Sequence, residues 1–116
     1  MPAATLNLTD NFRVEQGAHH VFTVTITNES GTVYDMTGAS AAAQIRETKD
    51  ASTSYAYTCS INTTTGVITL TMTNETTDDI TFETGYWDLE LTESTGRVVR
   101  LLEGTVEISL ETTKAA

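Results

Sequence analysis

The strongest constraint on the fold lies between Gly85 and Ser109, where two runs of alternating apolar and polar residues flank Glu93-Ser94-Thr95-Gly96. Trp87, Leu89 and Leu91 share one parity, and Tyr86, Asp88 and Glu90 share the other. A period of two puts one face of a strand in a core and the other in water, whereas a helix would repeat at 3.6. Beyond the turn, Val99 and Leu101 occupy odd positions while Val106, Ile108 and Leu110 occupy even ones. That change of parity requires one extra residue, a β-bulge, and Gly104 between the two sets is the expected place for it.

The same period recurs upstream. From His20 to Asn28, Phe22, Val24 and Ile26 alternate with Thr23, Thr25 and Thr27, and from Val67 to Thr73, Ile68, Leu70 and Met72 alternate with Thr69 and Thr71. Tyr55, Tyr57, Cys59 and Ile61 lie on one parity before the turn Asn62-Thr63-Thr64-Thr65-Gly66, which predicts a hairpin with the run that follows. Thr32–Tyr34 reads as a short strand, and Ala39–Glu47 as a longer one, although its alanines also suit a short helix. Between Asn74 and Thr84 the alternation stops. Thr76-Thr77-Asp78-Asp79 offers oxygens to cap one helical turn that carries Ile80 and Phe82 inward, as a crossover between sheets.

About a fifth of the 116 residues are threonine, a β-branched type that suits a pleated, half-buried surface. Seven or so strands with frequent turns predict one all-β domain, an antiparallel β-sandwich. Residues 12–112 form that domain, with residues 1–11 as an extended N-terminal arm and residues 113–116 as a tail. The net charge of −10 repels phosphate backbones and anionic lipid, so neither nucleic acid nor membrane is an expected partner. The single Cys59 cannot form an internal disulfide, and no basic and apolar leader opens the chain. Folding in a reducing cytoplasm is the expectation.

No catalytic constellation emerges. His19 and His20 are neighbours, which a strand sends to opposite faces, so they cannot chelate one metal together. Glu75, Asp78 and Asp79 lack the spaced ligands and central glycine of a calcium loop. Cys59 lies on the inward parity, as a packing residue. Trp87, Tyr55, Tyr57 and Tyr86 would make a sugar-binding platform only on a common face, and parity separates Trp87 from Tyr86. No phosphate loop or nucleophile elbow is present. The expectation is a non-enzyme with no cofactor and no metal.

Four stretches carry a likeness to a known group: VEQGAHHVFTVTI from Val14 to Ile26, DMTGASAAAQIRE from Asp35 to Glu47, TGVITLTM from Thr65 to Met72, and GYWDLELTESTGRVVRLLEGTVEI from Gly85 to Ile108. In these turns and core positions the chain resembles small tailed-bacteriophage virion proteins with an immunoglobulin-like or baseplate-protein-like sandwich. The resemblance implies a multi-copy structural module of the tail, baseplate or fibre-attachment region. Its partners would be other virion proteins, and its location the virion after synthesis in the host cytoplasm. A capsid head-decoration protein and an adhesive module for carbohydrate or a host-surface glycan are the alternatives.

Two places are expected to make the contacts. Leu6 and Leu8, spaced i, i+2, share one face of the arm if it is extended. Burying two leucines contributes roughly 3–6 kcal/mol, too little to order nine residues alone. The second place is the strand edge from Arg97 to Glu103, with Arg97 and Arg100 as its candidate binding residues, because unpaired edges recruit another strand.

Overall fold

The computed structural model describes the backbone of residues 3–7 and, with side chains, residues 13–112. Eight strands and one helix follow in the order β1 (Ala3–Asn7), β2 (Arg13–Glu15), β3 (His20–Thr27), β4 (Ser40–Arg46), β5 (Tyr55–Asn62), β6 (Val67–Met72), α1 (Asn74–Asp78), β7 (Thr84–Thr92) and β8 (Val98–Ser109). Hydrogen bonding joins them as β1-β3-β6-β5-β4-β7-β8-β2. All neighbours are antiparallel except β2, which runs parallel to β8.

The ladder folds into two layers because β5 belongs to both. Tyr55 to Tyr57 pair with β4, whereas Thr58 to Asn62 pair with β6. The first sheet therefore holds β1, β3, β6 and the later half of β5; the second holds the start of β5 with β4, β7, β8 and β2. Between the layers pack Phe22, Val24 and Ile26 of β3, Ile68, Leu70 and Met72 of β6, and Ile45, Leu89, Leu91, Val106 and Ile108 of the second sheet, none more than 3% exposed. Full burial of one such side chain is worth about 1.5–3 kcal/mol. The alternation read in the sequence is thus the inner lining of a sandwich, and the all-β immunoglobulin-like class is the one observed.

Several expectations are corrected. The strand at Thr32–Tyr34 shrinks to a single bridge between Val33 and Thr27. The alanine-rich segment is strand, held by β5 on one side and β7 on the other. The register of β7 and β8 slips between Leu89 and Glu90, which face Leu102 and Arg100, so the bulged residue is Leu101 and not Gly104. Bulging there lets both Leu101 and Leu102 pack against the core. Gly104 instead lies opposite Trp87, whose Nε1 is 3.4 Å from where a Cβ would stand, an ordinary packing distance. Leu110 lies beyond the end of β8 and is exposed.

Helix α1 begins at Asn74, and the hydroxyl of Thr73, its N-cap, makes no capping bond. Thr77 turns inward instead. Its Oγ1 donates to the carbonyl of Ala18 at 2.8 Å and accepts from the amide of Gly17 at 3.1 Å, which ties the crossover to the start of β3. Buried Gln16 closes the same corner, donating from Nε2 to the Ile80 carbonyl at 2.8 Å. Ile80 is fully buried and Phe82 packs against the core, as the sequence predicts.

Residues 3–7, assigned to an arm by the sequence, form β1, with Ala3 opposite Thr27 and Asn7 opposite Thr23. Backbone pairing along β3 supplies order that two leucines do not. Residues 8–11 of that arm and the tail at 113–116 lie outside the described residues.

Candidate interaction surface

The β7–β8 hairpin is closed by Glu93 and Arg97. The Glu93 amide donates to the Arg97 carbonyl at 2.8 Å, the Gly96 amide donates to the Glu93 carbonyl at 2.8 Å, and the two side chains form an ion pair at 2.8 Å. The Tyr34 hydroxyl also donates to the Glu93 carboxylate, and that acceptor raises the phenol above its ordinary pKa. Arg97 is therefore committed to the turn.

Arg100 stands on the outer face of the second sheet among three carboxylates: Glu103 at 2.9 Å, Asp88 at 3.7 Å and Glu90 at 3.9 Å. All four side chains are well exposed, so water screens the pairs and each contributes little to stability. Their effect is on the pattern of the surface, with one cation set in an acidic field. Beside them a shallow hollow of about 500 Å³ is lined by Gln44, Arg46, Tyr86, Asp88 and Arg100. Lys49 lies 5.6 Å from the centre of the Tyr86 ring, within cation–π range.

Along the rim of this face runs the outer edge of β8. Among the described residues, β8 pairs with β7 along its length but with β2 only from Glu107 to Ser109. From Val98 to Val106 one row of backbone N–H and C=O groups has no strand paired to it among the described residues. Val98 opens that edge and is 57% exposed. Such an edge can extend its sheet by accepting a strand from another chain.

The structure brings Arg97 and Arg100 to one hairpin. Leu6 belongs to the other sheet, in register with Val24, and Leu8 lies outside the described residues. The carbohydrate platform does not form among the described residues. Trp87 and Tyr57 are 6% exposed, and among the described aromatic side chains Tyr86 alone is exposed. Phe22 bridges Trp87 and Tyr57 by edge-to-face contacts at 5.7 and 5.4 Å. His20 joins this cluster, with Nδ1 2.7 Å from the Tyr57 hydroxyl.

The titratable groups are set for packing more than for reaction. Burial lowers the His20 pKa and pushes the Tyr57 phenol far above its usual range. Burial also raises the Cys59 thiol, which keeps it protonated and a weak nucleophile. The one lowered carboxyl described, Asp35, accepts the Thr37 amide in its own exposed turn. Among the described residues no three His, Cys, Asp or Glu side chains converge to hold a metal ion, and no helix is long and apolar enough to cross a membrane. Gln16 and Thr77 were not foreseen, because single buried polar residues in a loop and a helical turn leave no periodic trace.

No protein-family model matches the chain, nor does any curated protein. Among solved structures it is similar to the Lin-41 filamin domain, at 15% identity over 90% of each chain with a TM-score of 0.50. It is also similar to the SrpA adhesin from Streptococcus sanguinis, at 13% identity and a TM-score of 0.55. The chain is covered over 96% of its length there but spans only 58% of the adhesin. At such identities the likeness establishes the fold and nothing about ligands.

Proposed function

We propose that this chain is a non-enzymatic interaction module that acts through its sandwich surface, and that it serves as a structural component of a tailed-phage virion. The observation that carries the first part is that, among the described residues, β8 is paired on one side only from Val98 to Val106, next to a charged sheet face. A strand edge of that length offers several backbone hydrogen bonds to a neighbour, and the Arg100 cluster beside it supplies a charge pattern that fixes register. The virion assignment rests on the sequence resemblance from Val14 to Ile108, with a tail, baseplate or fibre-attachment position preferred over head decoration. The sugar-binding alternative is the less favoured one, since among the described Phe, Trp and Tyr rings only Tyr86 is exposed and a stacking platform needs more than one.

The test is quantitative mass spectrometry of particles purified from a host that carries the gene. A fixed copy number per particle is expected, and absence from particles overturns the virion reading. Immunogold labelling then separates the positions, because label confined to heads rules out a tail role. Within assembled particles, Val98→Lys should reduce incorporation while the isolated domain stays folded.

A further inference from the structure

The two faces of the sandwich differ in charge. No Asp, Glu, Lys or Arg occurs on β1, β3, β6 or the part of β5 paired with β6, whereas β2, β4, β7 and β8 each carry at least one. In a chain with a net charge of −10, exposed strand positions are where charge would ordinarily sit. On the first sheet they hold hydroxyls instead. Thr23 of β3 faces Thr69 of β6, which faces Ser60 of β5; in the next row Val21, Thr71 and Thr58 stand in line. Thr58 and Ser60 are exposed, and Val21 is 55% exposed.

We propose that this threonine face is a docking surface for a second copy of the chain, packed sheet to sheet about a two-fold axis. Three physical arguments select that occupant. Two bodies of charge −10 repel, and the repulsion is least when each presents its uncharged side. A two-fold interface must also be complementary to itself. A hydroxyl both donates and accepts, so a threonine field satisfies that condition, while a field of carboxylates does not. The extent fits as well. Four strands about 4.8 Å apart and five to eight residues long span roughly 19 by 20 Å, or about 380 Å² of face per copy. The pair then covers about 760 Å², below a standard interface and suited to a weak, reversible contact that becomes effective when many copies are held together.

This inference does not rest on the virion reading, and its test is separate. Sedimentation velocity on the full chain, from about 10 μM to about 1 mM, should show a monomer–dimer equilibrium. Association should strengthen between about 50 mM and about 500 mM salt, because salt screens the repulsion between acidic bodies. An interface held by ion pairs would weaken instead, and that result overturns the proposal. Thr69 lies on an inner strand in the Thr23–Thr69–Ser60 row, where a two-fold axis brings the two copies together. Thr69→Glu should abolish the dimer with an unchanged far-ultraviolet spectrum, and so should Thr69→Lys; mixing the two should restore a heterodimer. Ser40→Ala, exposed on β4 of the opposite sheet and without change of charge, should leave association intact. A parent chain that stays monomeric throughout, or a Thr69→Glu variant that dimerises like the parent, rules the proposal out.

Discussion

The backbone amide of Glu111 donates to Oε1 of Gln16 at 2.9 Å across 95 residues of sequence, while Nε2 of the same side chain holds the Ile80 carbonyl at 2.8 Å. One buried amide thus fastens the end of β8, the crossover after α1 and the loop after β2. Gln16→Leu keeps the volume but leaves both backbone groups without this partner, at about 1–3 kcal/mol for each group that water does not reach. A total loss of about 2–6 kcal/mol is expected, read as a lower urea midpoint at unchanged slope. A midpoint equal to the parent would mean that water replaces the side chain fully.

Stability should fall in mild acid through His20. Its folded-state pKa is depressed by burial, so in the unfolded chain the imidazole binds its proton at higher pH than in the native one. The native state is then favoured fully above the unfolded value near 6.5, and this contribution is lost as pH drops below it. Denaturant midpoints at about pH 7.5 and 5.5 should differ, and His20→Phe should flatten the difference. An equal slope in the variant would assign the pH dependence elsewhere.

Two glycines separate strain from collision. Gly66 has φ +74° and a Cβ there would stand 2.8 Å from the Ile26 carbonyl oxygen, whereas Gly96 has φ +91° with open space around it. Gly96→Ala should cost about 1–2 kcal/mol from the left-handed backbone alone. Gly66→Ala should cost distinctly more, because the obstructing atom is backbone and the Gly66 carbonyl accepts the Ile26 amide at 2.8 Å. Thermal melts of the two variants give the comparison, and equal losses would refute the steric argument.

Arg100→Gln removes the cation from among Asp88, Glu90 and Glu103. Because those pairs are exposed, the expected loss is below about 1 kcal/mol at low salt and vanishes in high salt. Melting curves in the two buffers check it; a large, salt-independent loss would indicate a structural role.

Much of the sandwich was legible because alternation is a side-chain signal. Phe22, Val24 and Ile26 could be assigned to the core, and Thr23 and Thr25 to the outside, from parity alone. Trp87 was legible as an anchor for the same reason. The bulge was misplaced because parity shows only that a residue must be added between Val99 and Val106; packing of Leu101 and Leu102 decides where. Order in residues 3–7 was hidden, since it comes from backbone groups that every sequence possesses. Arg97 and Arg100 lie on the closing hairpin, a position legible from the turn that precedes them. Their acidic partners lie on β7, on β8 and in the turn, and sequence spacing does not reveal which of them are within reach.

The parallel pairing of β2 with β8 also determines how the domain carries load. Tension applied between its two ends would first strip β1 from β3, where Ala3 pairs with Thr27 and Asn7 with Thr23. It then reaches Arg13, Val14 and Glu15, which lie beside Glu107, Ile108 and Ser109 and run in the same direction. Opposed forces on parallel strands act along their length, so the hydrogen bonds there must yield together and fully buried Val14 must slide against the core at the same moment. Under such a load these three residues would act as a mechanical clamp.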